Sequence, residues 1–111
     1  MREIKNGDTL IGLKASPLSL FFYKREFGTD LLNDLIKMQK KSGVELDTMT
    51  IMQIGYALNV AYNYPDKTPS FLTWFEGLEV LEVDLLTAIM EEASNLFVTG
   101  KATKGATVKK K

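Results

Sequence analysis

The run from Met49 to Tyr62 contains no charged residue, and this constrains the fold more than any other stretch of the chain. Ile51, Ile54, Leu58 and Ala61 fall on one helical stripe, and Met49, Met52, Tyr56 and Val60 fall on another. A helix that is apolar on nearly every side has to be surrounded, either by its own domain or by a partner. Asp47 stands where a cap is needed and Tyr64-Pro65-Asp66 breaks the pattern, so the helix is expected to end at about Tyr62 or Asn63.

Shorter amphipathic segments surround this one. Ser16-Pro17 is a start signal: serine accepts a bond from an orphan amide, and proline at the first helical position loses nothing. The helix predicted from Pro17 to about Phe27 places Leu20, Tyr23 and Phe27 on one face, widened by Leu18, Phe21 and Phe22, and Gly28 stops it. Thr29 or Asp30 then caps a second helix through Lys40 that buries Leu31, Leu35 and Met38 beside Leu32 and Ile36. Lys40 and Lys41 suit its last turn, and Gly43 ends it. Thr68-Pro69 repeats the start signal and predicts a helix from Pro69 to about Leu78 carrying Phe71, Leu72, Trp74 and Phe75. Beyond Gly77 the chain either bends or continues with a kink. A last helix from about Val83 to Phe97 presents Leu86, Ile89, Met90, Ala93 and Phe97 inward and closes at Thr99-Gly100. Ahead of all of these, Asn6-Gly7 is a favoured pair for a tight turn, followed by the apolar stretch Thr9 to Leu13, so residues 1–15 are expected to form a hairpin or extended start.

With 111 residues the chain has room for one core. The expected architecture is mainly α: a compact bundle of four to five short helices over residues 1–100 with a small N-terminal β-hairpin or extended segment. Residues 101–111 are too poor in apolar groups to fold and are expected to form a flexible, disordered basic tail. No apolar run approaches the roughly 20 residues that cross a bilayer, and Met1-Arg2-Glu3-Ile4-Lys5 does not have the composition of a signal peptide. The absence of cysteine leans towards a reducing cytoplasm.

The formal net charge of zero conceals an asymmetry. Residues 1–100 carry nine basic against fourteen acidic side chains, a balance of −5, while residues 101–111 carry Lys101, Lys104, Lys109, Lys110 and Lys111 and no acid. The tail reads as a solubilising end or a tether to the acidic face of a neighbouring copy. Without arginine or interleaved aromatics it gives nucleic acid only a weak, salt-sensitive contact. The chain has no histidine and no cysteine, so neither a Ser-His-Asp or Cys-His triad nor the usual zinc site can be assembled. Glu76, Glu79 and Glu82 are spaced by three and would line one edge of a helix; with Asp84, Glu91 and Glu92 they read as a solvated polar face opposite the Leu/Met stripe. Gly100-Lys101-Ala102-Thr103-Lys104-Gly105 lacks the spacing of a phosphate loop. The expectation is therefore of no catalytic residues, no metal and no cofactor.

The apolar side chains exceed what one inward stripe per helix requires. Methionine adapts to varied surfaces, and the Met-bearing charge-free helix with Phe71, Trp74 and Phe75 is suited to lining a groove for a partner helix. Met49, Met52, Tyr56 and Trp74 are the candidate partner-binding residues.

The order of segments resembles a known family. A short extended start leads into Leu18-Ser19-Leu20-Phe21-Phe22-Tyr23-Lys24-Arg25-Glu26-Phe27-Gly28-Thr29-Asp30-Leu31-Leu32. An uncharged helix, an aromatic Pro69-Ser70-Phe71-Leu72-Thr73-Trp74 segment and a basic tail follow. Most of the chain, and residues 23 to 30 most sharply, is similar to the tail assembly chaperones of long, non-contractile-tailed phages and prophages of Gram-positive hosts. The resemblance implies a helical protein in the host cytoplasm, without enzymatic activity, that coats the tape measure protein, keeps it soluble and is absent from the mature virion. It also implies a second, longer product made by frameshifting, for which Lys109-Lys110-Lys111 is what a slippery site would encode, and which would recruit the tail tube protein. Self-association is expected. The alternative is another small phage morphogenesis protein, a head–tail joining or tail-completion factor retained in the virion; a third reading is a carboxylate-dependent hydrolase using Glu76, Glu79 and Glu82.

Overall fold

A computed structural model describes residues 1–40 and 47–102, with the backbone alone for 39–40 and 98–102. Two strands, β1 (Arg2–Asn6) and β2 (Thr9–Leu13), precede five helices: α1 (Pro17–Phe27), α2 (Leu31–Lys40), α3 (Thr48–Asn63), α4 (Phe71–Glu76) and α5 (Val83–Ala102). The fold is mainly helical with an N-terminal antiparallel hairpin, as the patterning predicts. Lys41, Gly43 and the tail beyond Ala102 lie outside the described residues.

Helix α3 is the axis of the molecule. It packs against α1, α5, β2 and α4, and every residue from Ile54 to Ala61 is buried. The domain itself therefore supplies the surroundings that the charge-free run demands. Asp47 caps this helix as expected, accepting the Thr50 N–H at 3.2 Å. Gly55 is what lets α5 come close, since a Cβ there would lie 2.4 Å from Cδ1 of Ile89. Leu31, Leu35 and Met38 of α2 are buried, and Asp30 caps that helix through the Asn33 N–H at 2.9 Å. Gly28 ends α1 at φ 80°, its N–H bonded to the Lys24 carbonyl. That left-handed conformation favours glycine because it lacks a Cβ.

Several local expectations are corrected. The hairpin turns one residue later than Asn6-Gly7 suggests: Asn6 pairs with Thr9, and Gly7 (φ 62°) and Asp8 form the corner. Asn6 is instead a buried latch. Its Nδ2 donates to the Val80 carbonyl at 2.8 Å and its Oδ1 accepts the Glu82 N–H at 2.9 Å, tying the hairpin to the α4–α5 connection. At the start of α1 the capping hydroxyl belongs to Ser19, not Ser16. Ser19 Oγ accepts the Ser16 N–H at 3.1 Å and donates to the Lys14 carbonyl at 2.7 Å.

Helix α4 starts at Phe71 rather than Pro69, because Ser70 is the cap and the Pro69 carbonyl accepts the Tyr56 hydroxyl at 2.6 Å. Helix α5 runs through Thr99-Gly100 to Ala102. Glycine inside a helix costs about 1 kcal/mol, and without a left-handed turn it is no stop. The inward face of α5 is broader than expected. Ile89 and Ala93 are core residues, and half-buried Leu86, Met90 and Phe97 pack against the core, as the spacing predicts, but buried Leu85, Ala88 and Glu92 join them. Glu76, Glu79 and Glu82 share no helix edge, since only Glu76 is helical.

Glu92 departs furthest from a solvated polar face. Its side chain is 3% exposed and pairs with the Met1 amine at 2.9 Å and with Arg2 Nε at 3.6 Å. It also accepts the Ala15 N–H at 3.1 Å. Burial pushes this carboxyl up, but the amine, the Ala15 N–H and Arg2 outweigh it and hold the group below its ordinary value. A buried carboxylate survives when paired and hydrogen-bonded in this way.

Candidate functional site

A six-residue helix is too short to hold itself together in water, so α4 exists because its neighbours grip it. Glu26 of α1 accepts the Phe71 N–H at 2.8 Å, satisfying an amide that has no partner within the helix. Tyr56 of α3 holds the Pro69 carbonyl, and Asn59 of α3 accepts the Trp74 indole N–H at 3.0 Å. Phe71 sits in an aromatic cluster, edge-on to Phe27 (centroids 5.1 Å) and Tyr56 (5.6 Å) and stacked with Phe75 (5.6 Å). Such pairs contribute about 0.5–1.5 kcal/mol each beyond area burial.

These contacts use only one side of the helix. No residue of α4 is fully buried, and Leu72 is 72% exposed. Phe71, Trp74 and Phe75 are half-buried. The result is an apolar ledge on the protein surface. Beside it a cleft of about 400 Å³ lies between α4, the end of α3 and the hairpin, lined by Leu10, Tyr62, Asn63, Trp74 and Leu78. Gly12 shapes this region, because a Cβ there would lie 2.3 Å from the Tyr62 ring. Tyr62 in turn donates its hydroxyl to Glu3. The buried Asn59 joins the walls, since its Nδ2 donates to the Gly12 carbonyl at 2.8 Å while its Oδ1 holds Trp74.

The four residues expected to bind a partner do not form one open groove. Tyr56 and Trp74 are together, with ring centroids 5.4 Å apart, but Tyr56 is a core residue at 4% exposure and Met52 is completely buried. Met49 is 44% exposed and stands about 10 Å along α3 from Tyr56, at 1.5 Å rise per residue. The stripe containing Met52 and Tyr56 supports the fold, and the half-buried rings that pack on Tyr56 are Phe71 and Trp74 of α4. Leu72 and Asn59 had no assigned role in the sequence. The signal for Leu72 was present: four large apolar residues in the span 71–75 exceed one face of a single turn and a half.

Among the described residues no group of three or more Asp, Glu, His or Cys side chains could hold a metal ion, and no described helix is long and apolar enough to cross a membrane. The carboxylates Glu76, Glu79, Glu82 and Asp84 are exposed and border the ledge and the connection that follows it. Comparison with protein-family models, with curated proteins and with solved structures finds no match to this chain.

Proposed function

We propose that this chain is a tail assembly chaperone that binds the tape measure protein of a long-tailed phage in the host cytoplasm, and that α4 is the ledge on which the client rests. The observation that carries the reading is the exposure of α4: Leu72 at 72%, flanked by half-buried Phe71, Trp74 and Phe75 on a helix held by its neighbours. A client helix whose apolar stripe would otherwise self-aggregate can lay that stripe against such a surface. The exposed Glu76 at the end of the helix favours a client segment with lysine or arginine beside its stripe, which gives register and on-rate more than affinity. Binding of this kind requires no bond to be made or broken.

The test is co-purification of the tape measure protein with full-length chain carrying Leu72→Asp. Leu72 points into solvent, so the variant is expected to keep its circular dichroism and melting temperature while losing most of the captured client. Undiminished capture by a folded Leu72→Asp chain would overturn the assignment of the ledge. Met52→Asp is not an equivalent probe, because it places a charge in the core.

A further inference from the structure

Two surface regions away from the α4 ledge are complementary in both charge and apolarity. The first is the connection into α5. Val80, Leu81 and Val83 are 47%, 41% and 73% exposed, and Glu79, Glu82 and Asp84 are exposed among them. The segment is held in shape rather than loose. Asn6 bonds both the Val80 carbonyl and the Glu82 N–H, and the Glu82 carboxylate accepts the Gly7 N–H at 3.0 Å. No lysine or arginine occurs in the sequence between Lys67 and Lys101, so the charged side chains of this exposed aliphatic strip are all acidic.

The second region lies where the last turn of α1 meets the α3–α4 connection. A cleft of about 290 Å³ is lined by Phe22, Arg25, Val60, Tyr64 and Lys67, a volume that admits one or two aliphatic side chains. The Arg25 guanidinium lies over the rings of Phe22 (4.9 Å) and Phe21 (5.7 Å), which holds the cation at the rim. Phe21 and Tyr64 are 57% and 56% exposed, and Lys24 and Lys67 are also exposed. Asp66 is the one acid on the lining, leaving the rim with an excess of positive charge.

We infer that the acidic aliphatic strip Val80–Asp84 of one copy docks into the Arg25–Tyr64–Lys67 cleft of a second copy. Val83 and Leu81 fill the apolar floor, while Glu79 and Asp84 meet Arg25 and Lys67. The two regions are different patches of one chain, so the contact is heterologous: each copy offers a strip to one neighbour and a cleft to another, and copies add head to tail. This inference stands apart from the identity of the client, because neither patch includes α4.

The experiment is sedimentation velocity on full-length chains, with circular dichroism to verify the fold. The wild type is expected to form species larger than a monomer at low salt, growing with concentration and receding as salt screens the contact. Arg25→Glu/Lys67→Glu and Glu79→Lys/Asp84→Lys should each be monomeric alone and should assemble when mixed, because the reversed cleft and the reversed strip are again complementary. A wild type that is monomeric at every concentration at low salt would overturn the inference, as would a mixture of folded variants that fails to associate. So would loss of association in the strip variant alone, with the cleft variant unaffected, since the acidic strip would then be meeting the lysines of residues 101–111.

Discussion

Oδ1 of Asn59 accepts the indole N–H of Trp74 at 3.0 Å, so the surface helix α4 hangs from a buried amide of the central helix. The same amide donates to the Gly12 carbonyl of β2 at 2.8 Å, and one side chain thereby joins hairpin, axis and ledge. Asn59→Ala should cost about 1–3 kcal/mol, the range for leaving buried partners unsatisfied. Trp74 is the single tryptophan of the chain and reports directly on α4. Its emission should shift to the red in Asn59→Ala before the helical signal is lost. An unchanged emission maximum would show that the bond does not hold the ledge.

Gly55 and Ile89 set the spacing of α3 and α5. Alanine is a better helix former than glycine by about 1 kcal/mol, yet its Cβ at position 55 would press on Ile89 Cδ1. Gly55→Ala alone should therefore bring no gain in urea denaturation. In an Ile89→Val background, which removes Cδ1 and leaves Cγ1 at 3.0 Å, the same change should be better tolerated than in the wild type. Additive effects of the two substitutions would contradict the close approach.

Tyr23 is fully buried, and its hydroxyl donates to Asp34 at 2.8 Å. Burial, and then the Asp34 carboxylate, push the phenol well above its ordinary value of 10.0. The folded state thus keeps a proton that the unfolded chain releases above about pH 10. Stability from this group is complete below that pH and falls as pH rises. Alkaline melts should show this loss in the wild type and a shallower one in Tyr23→Phe, which should also cost about 1 kcal/mol at neutral pH for the missing bond.

Glu92 acts at the other end of the scale, with the opposite sign. Its folded carboxyl lies below the ordinary value of 4.5, so its contribution is present above about that pH and is lost as acid protonates the group through its folded value. Glu92→Gln should be less stable than the wild type at neutral pH, with the difference narrowing in acid melts. A constant difference across the acid range would show that the Glu92 ion pair does not stabilise the fold.

The start of α3, and both ends of α1, were legible because single residues with one physical role mark them: Asp47, Pro17 and Gly28. Position 92 was not, because a glutamate in a helix reads as a solvated charge until a partner from the other end of the chain, here the Met1 amine, is placed beside it. On α5 the spacing of Ile89 and Ala93 marks the inward face, while the burial of Leu85 and Ala88 beside them depends on packing that helical spacing alone does not specify. Met52 and Tyr56 read equally well as core or as partner surface, because nothing local distinguishes an apolar residue packed by its own domain from one kept for a partner. For α4, two overlapping start signals competed, and Tyr56 decided between them by taking the Pro69 carbonyl.

If the proposed function holds, this chain keeps an aggregation-prone helical client in solution, and co-expression measures that effect itself. A tape measure protein of a long-tailed phage is produced with and without the chain, and the soluble fraction is measured after centrifugation. A soluble complex is expected only when the chain is present, with Leu72→Asp failing to rescue. A tape measure protein that pellets equally with and without the wild-type chain would contradict the proposed function.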